Sequence, residues 1–154
     1  MDVNEFTIRT ERLKNRLYRT ALLYIGNESI ALDAVDEAIF RGLKAFKKLR
    51  QPEYFETWMT RILINECKKE LRKRKRELPL DTLPETAAEE YDSLPLREAI
   101  LRLPRELKEV ILLRYFSGFT LADTAQSLGI PQGTVVTRQR RALHLLKLEL
   151  SEEE

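Results

Sequence analysis

Residues Thr120–Val135, TLADTAQSLGIPQGTV, decide the fold of the C-terminal part of this chain. Two helices that cross closely need a small residue at the crossing, and Ala125 supplies one. The tight turn between them needs a residue tolerant of positive φ, and Gly129 stands four positions later. Thr120 suits the N-cap of Leu121–Leu128, Gly129 suits the residue after its C-terminus, and Pro131 suits the opening of a last helix to about Leu150. Leu128, Ile130 and Val135 are then the apolar residues that lock the pair. The spacing predicts a helix-turn-helix. Gln132, Thr134, Val136, Thr137 and Arg138 occupy the first turns of its second helix, where such a helix meets base edges in a major groove. An ordinary helical hairpin explains Ala125 and Gly129 equally well. It explains less well a helix whose stretch Gly133–Lys147 holds Arg138, Arg140, Arg141 and Lys147 and no acid.

The same segregation of charge runs through the whole chain. Its 154 residues carry 27 basic and 25 acidic side chains, so the net charge of +2 conceals the pattern. Arg61–Arg76 holds eight basic residues against Glu66 and Glu70, and residues 77–93 hold six acids and no base. Two basic helical stretches, each followed by an acidic one, predict two surfaces for polyanions. Five glycines and six prolines argue against a turn-rich β protein. One cysteine, Cys67, and one histidine, His144, exclude an internal disulfide, a cysteine-based zinc site and multi-histidine metal centres. No cofactor is expected. The first residues lack the basic-then-apolar order of a signal peptide, and no apolar run is long enough to span a bilayer, so a cytoplasmic protein is expected.

Helical periodicity continues upstream. Residues 4–26 form one helix, ended by Gly26-Asn27. Residues 28–47 form a second, with Ile30, Ala34, Val35, Ala38, Ile39, Leu43 and Phe46 as its apolar stripe and Asp33, Asp36, Glu37 and Arg41 off it. Residues 53–76 form a third, with Phe55, Trp58, Met59, Ile62, Leu63 and Cys67 on one face and a basic C-terminal end that suits the helix dipole. Trp58 is expected in the core and Tyr54 in the preceding loop, exposed. Asn65 lies off the apolar face. Aromatics beside cations suit single-stranded nucleic acid, although Arg72–Arg76 alone is equally consistent with a solvated helix end. Pro79, Pro84 and the acidic bias of 77–93 read as a linker. Two short helices, Leu94–Leu103 and about Pro104–Phe116, then lead into the helix-turn-helix. The expected fold class is all-α: two small helical domains, 1–76 and 94–154, joined by the acidic linker 77–93.

Four stretches in this order resemble the bacterial RNA polymerase sigma factors of the extracytoplasmic-function type, the minimal group with sigma domains 2 and 4 only. They are Leu17–Gly26 (LYRTALLYIG), Asp33–Phe40 (DAVDEAIF), Phe55–Cys67 (FETWMTRILINEC) with its basic tail, and Leu103–Phe116 (LPRELKEVILLRYF) running into the helix-turn-helix. Together they cover about residues 10–148. The resemblance implies an alternative sigma factor, a dissociable subunit without catalysis of its own and without a small-molecule substrate. It implies that Asp33, Asp36 and Glu37 dock on the β′ clamp helices of core RNA polymerase and that the C-terminal domain meets the β flap. It implies that Tyr54, Arg61, Asn65, Lys68 and Lys69 act on the melted −10 element, one base being flipped from the stack. It implies that Gln132, Thr134, Thr137, Arg138 and Arg141 face the duplex −35 element, that the linker threads toward the RNA exit channel, and that an anti-sigma factor, often membrane-anchored, is a partner. The chain departs from the pattern at Asp36, where glutamine is usual, at Ile39-Phe40, where the usual Phe is shifted by one, and at Val136 and Gln139. Val136 replaces a cation and offers a methyl contact to thymine. Gln139 puts an amide on the Val135, Ala142, Leu146 stripe.

Three other readings compete. A helix-turn-helix repressor or response-regulator output domain accounts for residues 94–150 but gives the basic third helix and acidic second helix no task. An enzyme would have to use Asp33 and Glu37, neighbours at i,i+4, without a phosphate loop or partner histidine. A structural adaptor leaves the charge segregation unexplained.

Overall fold

The computed structural model describes residues 1–77 and 94–152, with side chains described for 1–73 and 95–147. The expected linker falls almost wholly outside the described residues, and Arg74, Lys75 and Arg76 outside the described side chains. The chain divides into two compact units, Met1–Glu85 and Thr86–Glu154. The described elements are all helical, and no helix among the described residues is long and apolar enough to cross a membrane.

In the first unit, α1 spans Val3–Ile25 and α2 spans Glu28–Ala45. Their junction follows from two adjacent residues. Gly26 takes φ +82 and donates its N–H to the Leu22 carbonyl, and Asn27 then caps α2 by accepting from the Ile30 N–H at 3.1 Å. Asp2 caps α1 in the same way through Glu5 N–H, at 2.8 Å. Short 3₁₀ turns at Phe46–Lys48 and Pro52–Tyr54 lead to α3, Phe55–Glu77. Thus α2 stops earlier than its periodicity suggests and α3 starts later, because Pro52 opens a tight turn instead of a helix.

The three helices close on Leu17, Ala21, Ala34, Val35, Ala38, Met59, Leu63 and Ile64, all buried. Phe6 packs on Phe46 and Phe55 with ring centroids 5.1 and 5.7 Å apart, sealing the loop end of the bundle. Four expectations need correction. Leu43 is 44% exposed, and Ile39 is only half-buried. Trp58 and Ile62 are also half-buried, not core, while Ile64 is buried instead. Trp58 lies at the rim, its ring 5.9 Å from that of Phe55.

The second unit contains α4 (Leu94–Arg102), α5 (Arg105–Ile111), α6 (Leu121–Leu128) and α7 (Gln132–Glu152). α5 continues as a π-helical turn, Leu112–Phe116, in which Ser117 N–H reaches the Leu112 carbonyl at 2.9 Å. Val110, Ala125 and Val135 form a buried cluster against which Leu121, Leu128 and Ile130 pack.

Candidate nucleic-acid interface

The helix-turn-helix is built by local chemistry. Thr120 Oγ1 accepts from Asp123 N–H at 3.0 Å and starts α6. At its end Gly129 takes φ +67, with Gly129 N–H to the Gln126 carbonyl at 3.3 Å and Ile130 N–H to the Ala125 carbonyl at 3.0 Å. This paired closure requires the left-handed residue. A Cβ at Gly129 would meet nothing within 4 Å, so only the backbone resists substitution. We expect Gly129→Ala to cost the second unit about 1 kcal/mol, with Gly129→Asn milder, read by denaturant unfolding. An unchanged midpoint would show that the turn tolerates another geometry.

α7 presents Gln132, Thr137, Arg140 and Arg141 exposed and Thr134, Val136 and Arg138 half-buried. Thr137 Oγ1 donates to the Gly133 carbonyl at 3.1 Å, which leaves its methyl and an oxygen lone pair to the outside. Arg138 stands on the flank of the helix, 3.8 Å from Glu106 at the start of α5. Arg140 and Arg141 therefore face solvent more squarely than Arg138 does. Gln139 explains itself. Its Oε1 accepts from Arg114 Nε at 2.9 Å, and Arg114 Nη1 donates to the Phe119 carbonyl at 2.6 Å. The amide on the core stripe thus ties α7 to the loop leading into α6, a role that periodicity did not reveal.

In the first unit an open groove of about 680 Å³ runs between α2 and α3. Trp58, Asn65, Lys69 and Arg72 line it from α3, and Arg41 and Lys44 from α2. Two acids reach into the groove and are neutralised within it. Glu66, with its side chain 6% exposed, lies 2.6 Å from Arg41 and 3.4 Å from Lys69, and Glu37 lies 3.3 Å from Arg41. Lys44 sits 4.3 Å above the Phe40 ring. The structure therefore brings Asn65 and Lys69 together with the indole of Trp58 and three further cations. Arg61 is exposed and Lys68 half-buried on the same helix. Tyr54 is 47% exposed on the turn just before α3. Arg41 and Lys44 carried no nucleic-acid signal in the sequence, because nothing in the spacing tells which face of α2 meets α3.

The remaining candidates are on the outer side of α2. Asp33 and Asp36 are exposed and form no ion pair among the described residues. Glu37 differs, being held by Arg41.

Helices throughout the described residues, a cation-lined groove on one unit and a helix-turn-helix on the other have the makeup of a two-module nucleic-acid-binding protein. Comparison with known proteins narrows the class. Residues 10–77 match the family profile for Sigma-70 region 2, and residues 93–146 that for Sigma-70, region 4. RNA polymerase sigma factor SigV of Bacillus subtilis (strain 168) is 34% identical over 146 residues, covering 92% of this chain and 88% of that one. ECF RNA polymerase sigma factor SigW of the same organism is 28% identical, covering 97% and 90%. Among solved structures, the sigma factor RpoE of Bartonella quintana, crystallised with the anti-sigma factor NepR, has the same fold. Its TM-score is 0.86 at 24% identity, over 99% of this chain and 100% of that one. CnrH, in complex with the cytosolic domain of CnrY, gives a TM-score of 0.78 at 20% identity, over 99% and 92%. The chain belongs to the sigma-70 family, as a sigma factor of the extracytoplasmic-function type. Members of this family are non-enzymatic initiation factors that act with core RNA polymerase on promoter DNA.

Proposed function

We propose that this chain is an alternative sigma factor whose two units divide promoter recognition between melted and duplex DNA. Asn65, Lys69 and Trp58 sharing one cation-lined groove on the helix that follows exposed Tyr54 is the observation that carries the reading. A single strand needs aromatic surface, polar readers and phosphate neutralisation along its path, and this groove offers all three on one helix face. Tyr54 stands in the loop that captures the flipped base, and Arg61, Asn65, Lys68 and Lys69 meet the rest of the melted strand along α3. On the second unit Gln132, Thr134, Thr137, Arg138 and Arg141 face the −35 duplex.

Asp33, Asp36 and Glu37 dock on the β′ clamp helices, and the second unit meets the β flap. Residues 1–76 and 94–154 act as separate domains across the linker 77–93. The chain works in the cytoplasm and performs no catalysis; the polymerase supplies the chemistry. An anti-sigma factor holds it inactive; the structural neighbour RpoE was crystallised with an anti-sigma factor, NepR.

Runoff transcription from genomic DNA with purified core polymerase tests the proposal. Discrete start sites that share −35 and −10 sequences are expected only when chain and core are both present. Tight, specific promoter binding by the chain without core would instead favour a helix-turn-helix regulator.

A further inference from the structure

The turn that carries Tyr54 has little internal support. Gln51 enters it extended, Pro52 has no N–H, and its own bonds are Tyr54 N–H to the Gln51 carbonyl at 3.0 Å and Phe55 N–H to the Pro52 carbonyl. What holds it comes from α1. Arg9 Nη1 donates to the Pro52 carbonyl oxygen at 2.6 Å, and Nη2 is fixed by Glu5 Oε1 at 2.8 Å. The guanidinium carbon lies 5.9 Å from the centroid of the Phe55 ring. Two turns further along α1, Arg16 pairs with Glu56, so the start of α3 is tied to the same helix. Between the two ties lies a cleft of about 480 Å³ that also contains Arg12, which has no ion pair among the described residues.

We propose that Arg9 is a positioning residue for base capture: it fixes the Pro52 carbonyl, and thereby the direction in which Tyr54 meets the strand. This rests on the reading of Tyr54 given above. The physical case is one of geometry against stability. A charge-assisted bond from a rigid fork sets direction as well as distance. The Arg9 side chain is one-third exposed and the bundle closes on apolar side chains, so its contribution to folding is small. A reading pocket, in contrast, works only when its walls are held to within a fraction of an ångström. Losing Arg9 therefore loosens the turn without opening the core.

The test uses holoenzyme assembled from the full chain and core polymerase, on a promoter found by the runoff experiment. Affinity is measured for single-stranded −10 oligonucleotides carrying each of the four bases at the captured position. Arg9→Ala is expected to narrow the ratio between best and worst base by about tenfold. Core affinity and the thermal midpoint of the free chain stay unchanged. Arg9→Lys, which keeps the charge but not the planar fork, recovers part of the ratio, and Arg9→Ala adds nothing in a Tyr54→Ala background. Arg12→Ala removes a cation from the same cleft without touching the turn and leaves the ratio intact. If Arg12→Ala narrows the ratio as much as Arg9→Ala does, the effect is one of bulk charge and the proposal fails. It fails equally if Tyr54→Ala abolishes discrimination while Arg9→Ala preserves it. Full discrimination in Tyr54→Ala would remove the base-capture reading, and this proposal with it.

Discussion

Replacing Asp33 and Asp36 together by lysine is expected to weaken binding to core RNA polymerase by about 2–5 kcal/mol, while far-ultraviolet circular dichroism of the free chain stays the same. Both carboxylates stand on the outer face of α2 without an ion pair among the described residues. Neither therefore contributes a bond whose loss could unfold the bundle, and surface changes of this kind shift stability by only about 0.5 kcal/mol. Beside them, on the same side of the helix, Leu32 and Leu43 are about half exposed, with Ile39 half-buried between. An apolar line with acids along its edge has the composition of a docking surface, whose apolar centre excludes water and whose charges select the partner. Reversing the charges places like signs opposite each other if the partner is basic. Glu37 requires a separate substitution. It holds Arg41, which in turn holds Glu66 on α3, so a lysine there would disturb the joint between the helices as well. Glu37→Gln should therefore cost less core affinity than the double reversal. Unchanged core affinity in Asp33→Lys/Asp36→Lys would remove the docking assignment.

That contrast between Asp33 and Glu37 illustrates what the sequence disclosed and what it withheld. Periodicity states the angle of a residue around its helix, and that angle was sufficient to place all three acids outside the apolar stripe. It does not state how far the neighbouring helices wrap. α1 and α3 cover α2 on one side only, so Leu43 lies on the stripe and yet faces outward. Trp58 went astray for the same reason: on the apolar side of its helix, it lines the open groove between α2 and α3 instead of the closed core. Capping residues were more legible, because their signal is local. Gly26-Asn27, Thr120 and Gly129 end and begin helices through bonds to residues at most five positions away. The helix-turn-helix could be read almost complete on that account, although Val110, which closes its core from α5, could not. The Arg114–Gln139 bond joins residues 25 positions apart, so no local spacing announces it, and the π turn at Leu112–Phe116, although local, carries no residue-type signal of its own.

Arg138 and Arg141 put the reading of α7 to its sharpest test, because they lie three residues apart and should fail differently. Arg138→Ala is expected to cost about 1–3 kcal/mol at one or two −35 base pairs and to relax preference there. Arg141→Ala should weaken all −35 variants evenly and reduce the salt slope by about one. The structural basis is position: Arg138 is nearer the N-terminal end of α7, the end proposed to enter the groove, and Arg141 is exposed one turn later, where a helix so placed runs beside the backbone. Arg138 carries a complication absent from the sequence. Its guanidinium lies 3.8 Å from Glu106, so to reach a base it must leave that carboxylate or share it. Because Glu106 is 73% exposed, the pair is weak, and Glu106→Gln should raise −35 affinity by less than about tenfold. If Arg138 reads a base, that gain should vanish in an Arg138→Ala background. The measurement is holoenzyme affinity for a panel of single base-pair −35 changes at two salt concentrations. Should Arg138→Ala weaken every sequence alike, its guanidinium lies on the phosphate backbone, and α7 enters the groove about one turn away from the placement argued for it.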